Sequence, residues 1–411
     1  MSFLEKLLNG AEVEWKTLGE VAKIQRGASP RPIAQFITND ENGVPWIKIG
    51  DTKINSKYVN CTEQRISSEG ASKSRMLKKG DFIISNSMSF GRPYILNIDG
   101  AIHDGWASVS EFGNRLNSDY LYHYLSSNLV QSYWLTKINS GSVSNLNSDI
   151  IKSLKIPIPP LEIQQKIVVI LDSFAELTAE LTAELTARKQ QYNYYRESLL
   201  NFDEREIQHL PMDDERVGEF QRGKRFVKTD LLPEGIPTIH YGEMYTHYGT
   251  WANETKSFVS KDLVKNKNLR LAQKGDVVIV AAGETVEDIG KGTAWLGNQG
   301  VVVHDACFSY KTSLNPKFVA YFTRTKQYHD QIKKHISSGK ISAINAKGLG
   351  KTIIPIPSPE EQERIVSILD KFDILTNSIS NGLPKEIELR KQQYQYYREL
   401  LLNFPKDEIS E

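Results

Sequence analysis

The stretch that decides the architecture is Arg188-Lys-Gln-Gln-Tyr-Asn-Tyr-Tyr-Arg-Glu-Ser-Leu-Leu-Asn-Phe202, because it returns almost unchanged as Arg390-Lys-Gln-Gln-Tyr-Gln-Tyr-Tyr-Arg-Glu-Leu-Leu-Leu-Asn-Phe404. Upstream of each copy lies a proline-rich entrance and an apolar pattern, IPIPPLEIQQKIVVILDSF from Ile156 and IPIPSPEEQERIVSILDKF from Ile354. Two matches in the same order mean an internal duplication. Working outward, the larger segments match more weakly but in register. VAKIQRG (21–27) answers VGEFQRG (217–223), GVPWIKIGD (43–51) answers GIPTIHYGE (235–243), and KKGDFIIS (78–85) answers QKGDVVIV (273–280). His103-Asp104 answers His304-Asp305, and SGSVSNLN (140–147) answers SGKISAIN (338–345). LEKLLN (4–9) resembles RESLLN (196–201), so the repeat is nearly circular: helix tail, globule, helix, globule, helix.

The pattern predicts four segments: a first globule over 1–156, a central helix over 157–202, a second globule over 203–354 and a distal helix over 355–411. Short branched and aromatic runs bounded by glycine (Trp46–Ile49, Asp81–Ser85, Val277–Ala281, Val301–Val303) read as strands. Stretches Ser118–Ser127 and Asn315–Tyr328 have helical spacing, so each globule is mixed α/β. In the connectors, Ile163, Ile167, Ile170, Leu171, Phe174, Leu177, Leu181 and Leu185 recur at spacings of three and four, as do Ile365, Ile368, Leu369, Phe372, Leu375 and Ile379. A narrow stripe on two long helices predicts an antiparallel coiled coil; packing of each helix on its own globule is the alternative. Asn381-Gly382-Leu383-Pro384 should break or kink the second helix, since proline lacks the amide donor and clashes with the preceding turn. Within 174–187, FAELTAELTAELTA iterates a tetrapeptide of strong helix formers. Each further unit would add about 6 Å and turn the helix by roughly 40°, which makes it a length-setting spacer.

The chain has 411 residues, 25% charged and 39% hydrophobic, with a net charge of +1. That length calls for two or more domains, and the composition is globular rather than disordered. No apolar run of membrane-spanning length exists, and the N-terminus lacks the features of a signal peptide. Cys61 and Cys307 fall in different halves and suggest reduced thiols in a cytoplasmic protein. The charge is unevenly placed: 1–156 carries +3 and 203–354 carries +4, whereas 157–202 carries −2 and 355–411 carries −4. Mildly basic globules are compatible with phosphate contact, and equally with scattered solvated charge.

A tandem of unlike globules held by two alike helices in a circular repeat resembles the specificity subunit of type I restriction–modification systems. The resemblance covers the whole chain and rests on the paired IPIP…ILD-F segments, the RKQQY-YYRE--LNF boxes and the TAEL iteration at 178–185, which points to the IC-type branch. It implies two target-recognition domains, each reading one half of a bipartite, asymmetric DNA site, with helices that space the halves and dock two modification (methyltransferase) subunits. Restriction subunits would join the assembly. S-adenosylmethionine, ATP and Mg would belong to those partners, none being bound by this chain, and the chain itself would be non-catalytic.

The residues agree on the last point. No NPPY-like or DPPY-like motif grips a flipped base, and Asn315-Pro316-Lys317-Phe318 is a superficial echo. GLGKT at 348–352 ends like a phosphate loop, but Asn345 stands where the motif needs glycine and IIPIP follows instead of a helix. The His-Asp pairs suit fold-holding hydrogen bonds better than a metal site.

For DNA the candidates are Gln25, Arg26, Ser29 and Arg31 after the first strand, and Gln221, Arg222, Lys224, Arg225 and Lys228 in the same place of the second globule. Asn86, Ser87 and Arg92 follow the 81–85 strand, and His240, Tyr241, Tyr245, His247 and Tyr248 form an aromatic-basic run. Arg and Lys read guanine and Asn and Gln read adenine in the major groove. Because Gln-Arg-Gly is common to both globules, it suits the fold or a phosphate better than a base. On the helices, Tyr192, Tyr195 and Leu199 share a face, as do Tyr394, Tyr397 and Leu401. These faces suit either docking of the modification subunits or packing within the chain. A repeated protein-binding adaptor, or a stand-alone DNA-binding regulator, would also accommodate the duplication.

Overall fold

The computed structural model describes residues 3–405 except 54–55, 87–90, 140–144, 204–205, 338, 340 and 379–380, together with the side chains of all described residues but Asn114, Asn139 and Tyr245. Ser87 and Ile379, the side chain of Tyr245, and parts of the 140–147 and 338–345 match therefore lie outside what is described. The chain divides into two compact units, Met1–Leu181 with Ile387–Glu411, and Thr182–Glu386. Each unit takes in a globule, the first part of the helix that follows it, and one RKQQY box.

The first globule carries two five-stranded sheets. One runs Lys23–Arg26, Trp106–Ser110, Phe82–Ser85, Pro93–Leu96, Tyr58–Val59 in spatial order; the other runs Ile37–Thr38, Gln64–Ile66, Val44–Ile47, Gly100–Ile102, Arg75–Leu77. The second globule repeats the first order as Gly218–Arg222, Cys307–Thr312, Val277–Val280, Gly292–Trp295, Trp251–Ala252. Its other sheet has Ser257–Val259, Ile236–Ile239, Val301–Val303 and Leu271–Ala272, lacking only a counterpart of Ile37–Thr38 among the described residues. Even the parallel pairs coincide: Val44–Ile47 with Gly100–Ile102 matches Ile236–Ile239 with Val301–Val303. The repeat is thus a repeat of topology, although the intervening sequences are unrelated.

The shared sequence fragments fall where backbone geometry is demanding. Gly80 and Gly275 of the KGD turns have φ of +94° and +97°, a region that side chains with a Cβ avoid. Gly27 and Gly223 are held for a different reason. A Cβ on either would lie 2.0 Å from the His103 carbonyl oxygen or 2.2 Å from that of His304. In each globule two strands then close the chain ends on one another, Glu14–Thr17 on Lys155–Ile158 and His209–Pro211 on Ile353–Pro355.

The central connector is one helix of 39 residues, Leu161–Leu199, opened by Pro159-Pro160. The distal connector is two helices, Pro359–Asn377 and Leu383–Leu402, so the Asn-Gly-Leu-Pro sequence breaks it as expected. The apolar stripes face their own globules first. Ile163, Ile167 and Leu171 are buried in the core of the first unit, and Ile365 and Leu369 in that of the second. The ring contacts between connectors are Phe174 on Tyr397 at 5.0 Å in the first unit, and Tyr192 and Tyr195 on Phe372 at 6.3 and 5.3 Å in the second.

A buried glutamine ties each helix entrance to its globule. Gln164 Oε1 accepts the Asn117 amide at 2.8 Å, and Gln362 Oε1 accepts that of Asn315 at 2.7 Å. Asn117 and Asn315 in turn cap the helices Ser118–Leu125 and Pro316–Phe322. The TAEL iteration, by contrast, lies mostly solvated, and one boundary between the units falls inside it, at Leu181–Thr182.

Candidate nucleic-acid interface

In the first unit the candidates after the opening strand converge on the His103-Asp104 turn. Arg26 Nε donates to the Asp104 carbonyl at 3.2 Å, Ser29 Oγ donates to the Asp104 carboxylate at 2.9 Å, and Arg31 lies 3.6 Å from the same carboxylate. Partial burial works against the Asp104 charge, but the hydrogen bond from Ser29 and the nearby His103 and Arg31 outweigh it, so Asp104 sits below the usual carboxylate range. Arg26 and Arg31 are exposed, Gln25 and Ser29 half-buried. Asn86 is buried, its Oδ1 without a hydrogen-bond partner among the described residues, and Arg92 is half-buried.

The second unit builds the same turn. Arg222 Nε donates to the Asp305 carbonyl at 3.0 Å, the counterpart of Arg26 on Asp104. His304 Nδ1 accepts the Ala306 amide at 3.1 Å, as His103 Nδ1 accepts that of Gly105 at 2.9 Å. The Nε2–H of His304 is committed to the Phe226 carbonyl at 3.0 Å. The His-Asp pairs are accordingly turn-forming, and the described residues contain no group of three or more His, Cys, Asp or Glu that could hold a metal ion. Gly348, Leu349 and Gly350 of GLGKT end a single helical turn, Ala346–Gly350, capped by the Asn345 side chain, and Lys351 and Thr352 lead into a strand.

Around the second turn the candidates separate into exposed and buried sets. Gln221, Arg222, Arg225 and Lys228 are exposed, and Lys224 is half-buried. His240, Tyr241, His304 and Phe226 form one aromatic cluster, with His240 4.7 Å from both Tyr241 and His304, and Phe226 5.0 Å from His304. Burial lowers the pKa of both imidazoles, so they are neutral at pH 7. Gly242 donates its amide to His240 Nδ1 at 3.3 Å, which leaves the proton on Nε2 as a donor. Tyr248 does not join them. It is buried beside Met244, its oxygen accepting the Lys256 amide at 3.0 Å, while His247 remains exposed.

The sequence reading missed two arginines of this surface. Arg270 Nη1 donates to the Arg222 carbonyl at 2.6 Å, and Arg75 holds the equivalent sheet position, paired with Ile102. The signal was present: the KKGD and QKGD match extends back to Arg75 and Arg270, three residues before the lysine and glutamine at which it was read.

The tyrosine faces of the boxes turn inward. Tyr192 and Leu401 are buried, Leu199 packs on the second core, and the Tyr394 hydroxyl meets His123 Nδ1 at 3.0 Å. The glutamates of the boxes reach the globules as well: Glu399 accepts the Asn128 amide and Glu197 that of Lys326, both at 2.9 Å. The rings that remain most open are the neighbouring Tyr194 and Tyr396, 70% and 64% exposed.

This duplicated architecture is that of a two-domain recognition protein, and the family model "Type I restriction modification DNA specificity domain" matches it twice, over residues 11–188 and 215–389. The chain belongs to that family and is a specificity subunit, a non-catalytic class. It is 32% identical to S.HindORF215P of Haemophilus influenzae over 98% of each chain. To the type I restriction enzyme EcoR124I/EcoR124II specificity subunit of Escherichia coli it is 31% identical, over 99% of this chain and 98% of the other. A chain from a solved structure concerned with complex assembly and conformational transition of the type I restriction–modification system shares the fold, with a TM-score of 0.63 at 17% identity over 95% and 98% of the two chains. No helix among the described residues is long and apolar enough to cross a membrane.

Proposed function

We propose that each globule reads one half of a bipartite, asymmetric double-stranded DNA site, and that the helices fix the distance between the halves. The observation that carries this reading is the pairing of a sheet order that matches strand for strand in one sheet, and in all but one strand of the other, with unlike loops. One scaffold used twice with different surface residues suits one class of ligand with two different base sequences. The residues proposed to face DNA are Gln25, Arg26, Ser29, Arg31 and Arg92 in the first unit. In the second they are Gln221, Arg222, Lys224, Arg225, Lys228, His240, Tyr241 and His247. Asn86 and Tyr248 would have to leave buried positions to take part, and Ser87 and Tyr245 complete the proposed set.

The helices are further proposed as the docking surface for two modification subunits, with restriction subunits joining the same assembly in the cytoplasm. S-adenosylmethionine, ATP and Mg would enter with those partners. Because Tyr192, Tyr195, Leu199, Tyr394, Tyr397 and Leu401 are largely engaged within their own units, the solvent side of each box, around Tyr194 and Tyr396, is the part of that surface left open. The TAEL iteration supports placement in the IC-type branch.

Half-sites read from one face of a duplex lie about one helical turn, ~10 bp, apart. A solvated helix segment with no globule packed on it can lengthen without disturbing either core. Inserting one TAEL unit after Leu185, co-expressing the chain with its modification subunit and mapping methylated adenines should therefore return both half-sites intact with a longer gap. An unchanged gap would refute the ruler; absence of sequence-specific methylation with the native chain would refute the DNA reading.

A further inference from the structure

The two units should differ wherever they touch bases and agree wherever they touch something common to every sequence. Among the polar features that recur at this surface, beside Gln25 and Gln221, the His-Asp turns and the lysines of the KGD turns, is a pair of arginines. We propose that Arg222 with Arg270, and Arg26 with Arg75, form two equivalent sites that grip the DNA phosphodiester backbone, one per unit. This rests on the DNA reading given above.

In the second unit both arginines are anchored on backbone carbonyls at the end of the edge strand Gly218–Arg222. Arg222 fixes its Nε on the Asp305 carbonyl, and Arg270 donates through Nη1 to the Arg222 carbonyl. A guanidinium carries five N–H donors in a planar fork, so each anchored arginine retains donors for two phosphate oxygens. Arg222 and Arg270 are exposed and border a cavity of about 560 Å³ that Gln221, Lys274 and Lys311 also line. Two carboxylates line it as well, Glu219 and Asp276, and the Asp276 carboxylate accepts the Gln273 amide at 2.7 Å and the Ser309 hydroxyl at 3.2 Å. Four cations against two carboxylates leave the pocket net positive, which suits an anion.

The first unit keeps the arrangement although its neighbours change. Arg26 anchors its Nε on the Asp104 carbonyl, and Arg75 is paired with Ile102, whose carbonyl accepts the Ala28 amide two residues beyond Arg26. The Nε of Arg75 is buried without a hydrogen-bond partner among the described residues. Lys311 of the second unit is replaced by Ser110, and Glu219 by Lys23, so the local charge around the pair is rewritten while the pair persists. A part that survives when its surroundings do not is expected of a contact to the invariant portion of DNA.

The test uses the chain assembled with its modification subunit, binding a duplex with its mapped site and an unrelated duplex of equal length across a salt series. The variants are R75Q/R270Q and K274Q, the second because that lysine is exposed and reaches the Asn298 side chain rather than the core. For the arginine pair, affinity should fall roughly tenfold on both duplexes and the slope of log K against log salt should shrink by roughly 2, with the mapped sequence unchanged. K274Q should lower the slope by roughly 1 without altering the thermal midpoint. Full affinity and slope in both variants would overturn the proposal while the native complex still binds its site. So would an altered base preference confined to one half-site, which would make these residues base readers. Failure of the native complex to bind DNA overturns the reading beneath it and the proposal together.

Discussion

His123 in the first unit and Tyr321 in the second occupy the same place: each lies six residues after the helix-capping asparagine and donates to the aspartate of the ILD-F segment. His123 Nε2 is 2.8 Å from Asp172 Oδ1, and the Tyr321 hydroxyl is 2.7 Å from Asp370 Oδ1. A lysine also reaches each aspartate, but from a different element. In the first unit it is Lys57, shared with Asp119; in the second it is Lys317, which stands at the position of Asp119. Duplication has preserved the acceptor and let the donors vary. What is held constant is therefore a requirement of the joint between helix and globule, not a particular side chain.

The largest expected effects lie where both units have the same residue for the same steric reason. Gly27→Ala and Gly223→Ala each force a Cβ into the carbonyl of the His-Asp turn, against backbone that cannot yield without moving a strand. Each should destabilise its unit by roughly 3–5 kcal/mol. Hydrogen exchange resolved by peptide should show protection lost across the sheets of the altered unit. Strong loss in one unit and tolerance in the other would show that the turns are not equivalent.

Next come the buried glutamines. Gln164→Leu and Gln362→Leu leave the amides of Asn117 and Asn315 without acceptors, at a cost of about 1–3 kcal/mol each. Chemical denaturation of the two variants should give similar shifts in midpoint. Both glutamines also donate to a proline carbonyl, Pro159 or Pro357, so a shift confined to Gln164→Leu would point to its additional hydrogen bond to the Arg115 carbonyl as the part that matters.

How much of this the sequence could show follows from the same comparison. Residues under steric or capping constraint recur in both halves, so the glycines, the IPIP entrances and the RKQQY boxes could be recognised without coordinates. The helix break at Asn381-Gly382-Leu383-Pro384 was equally legible, because proline and glycine act locally. The sheet order was not, since long-range strand pairing leaves no local mark. The role of the tyrosine faces stayed open for a related reason: helical spacing shows that Tyr192, Tyr195 and Leu199 share a side, but not whether that side meets its own globule or a partner. Arg75 and Arg270 escaped because one conserved residue three positions outside a match looks like chance until a neighbouring arginine is seen beside it.

A smaller effect separates the boxes' two roles. Glu197→Ala and Glu399→Ala remove acceptors for the first amides of the helices Lys326–Ile332 and Asn128–Asn139, and each should cost about 1 kcal/mol, as a lost helix cap does. If the glutamates act mainly in docking, assembly with the modification subunit will weaken while the thermal midpoint of the isolated chain stays put.

The finest test returns to the joint itself. Burial lowers the His123 pKa below its usual value near 6.5, although Asp172 pulls it the other way. Asp172 resists its own desolvation through the hydrogen bond from His123 and the charge of Lys57, and stays ionised. The imidazole is thus neutral, with Nε2–H donating to Asp172 and Nδ1 accepting from Tyr394. Unfolded chain binds the proton more readily than folded chain, so this contribution is complete above about pH 6.5 and is lost as pH falls through the lowered folded value. Its slope is bounded by one proton, about 1.4 kcal/mol per pH unit. His123→Tyr copies the second unit's donor and should keep the joint while flattening the acid limb of the stability curve. Tyr321→His should steepen it beyond the sensitivity that His240, His304 and His329, all with lowered pKa, already give the second unit. Thermal midpoints between pH 5 and 8 for both variants decide the matter. Parallel curves for wild type and His123→Tyr would mean that the joint tolerates a protonated imidazole, and that the two donors differ in kind but not in consequence.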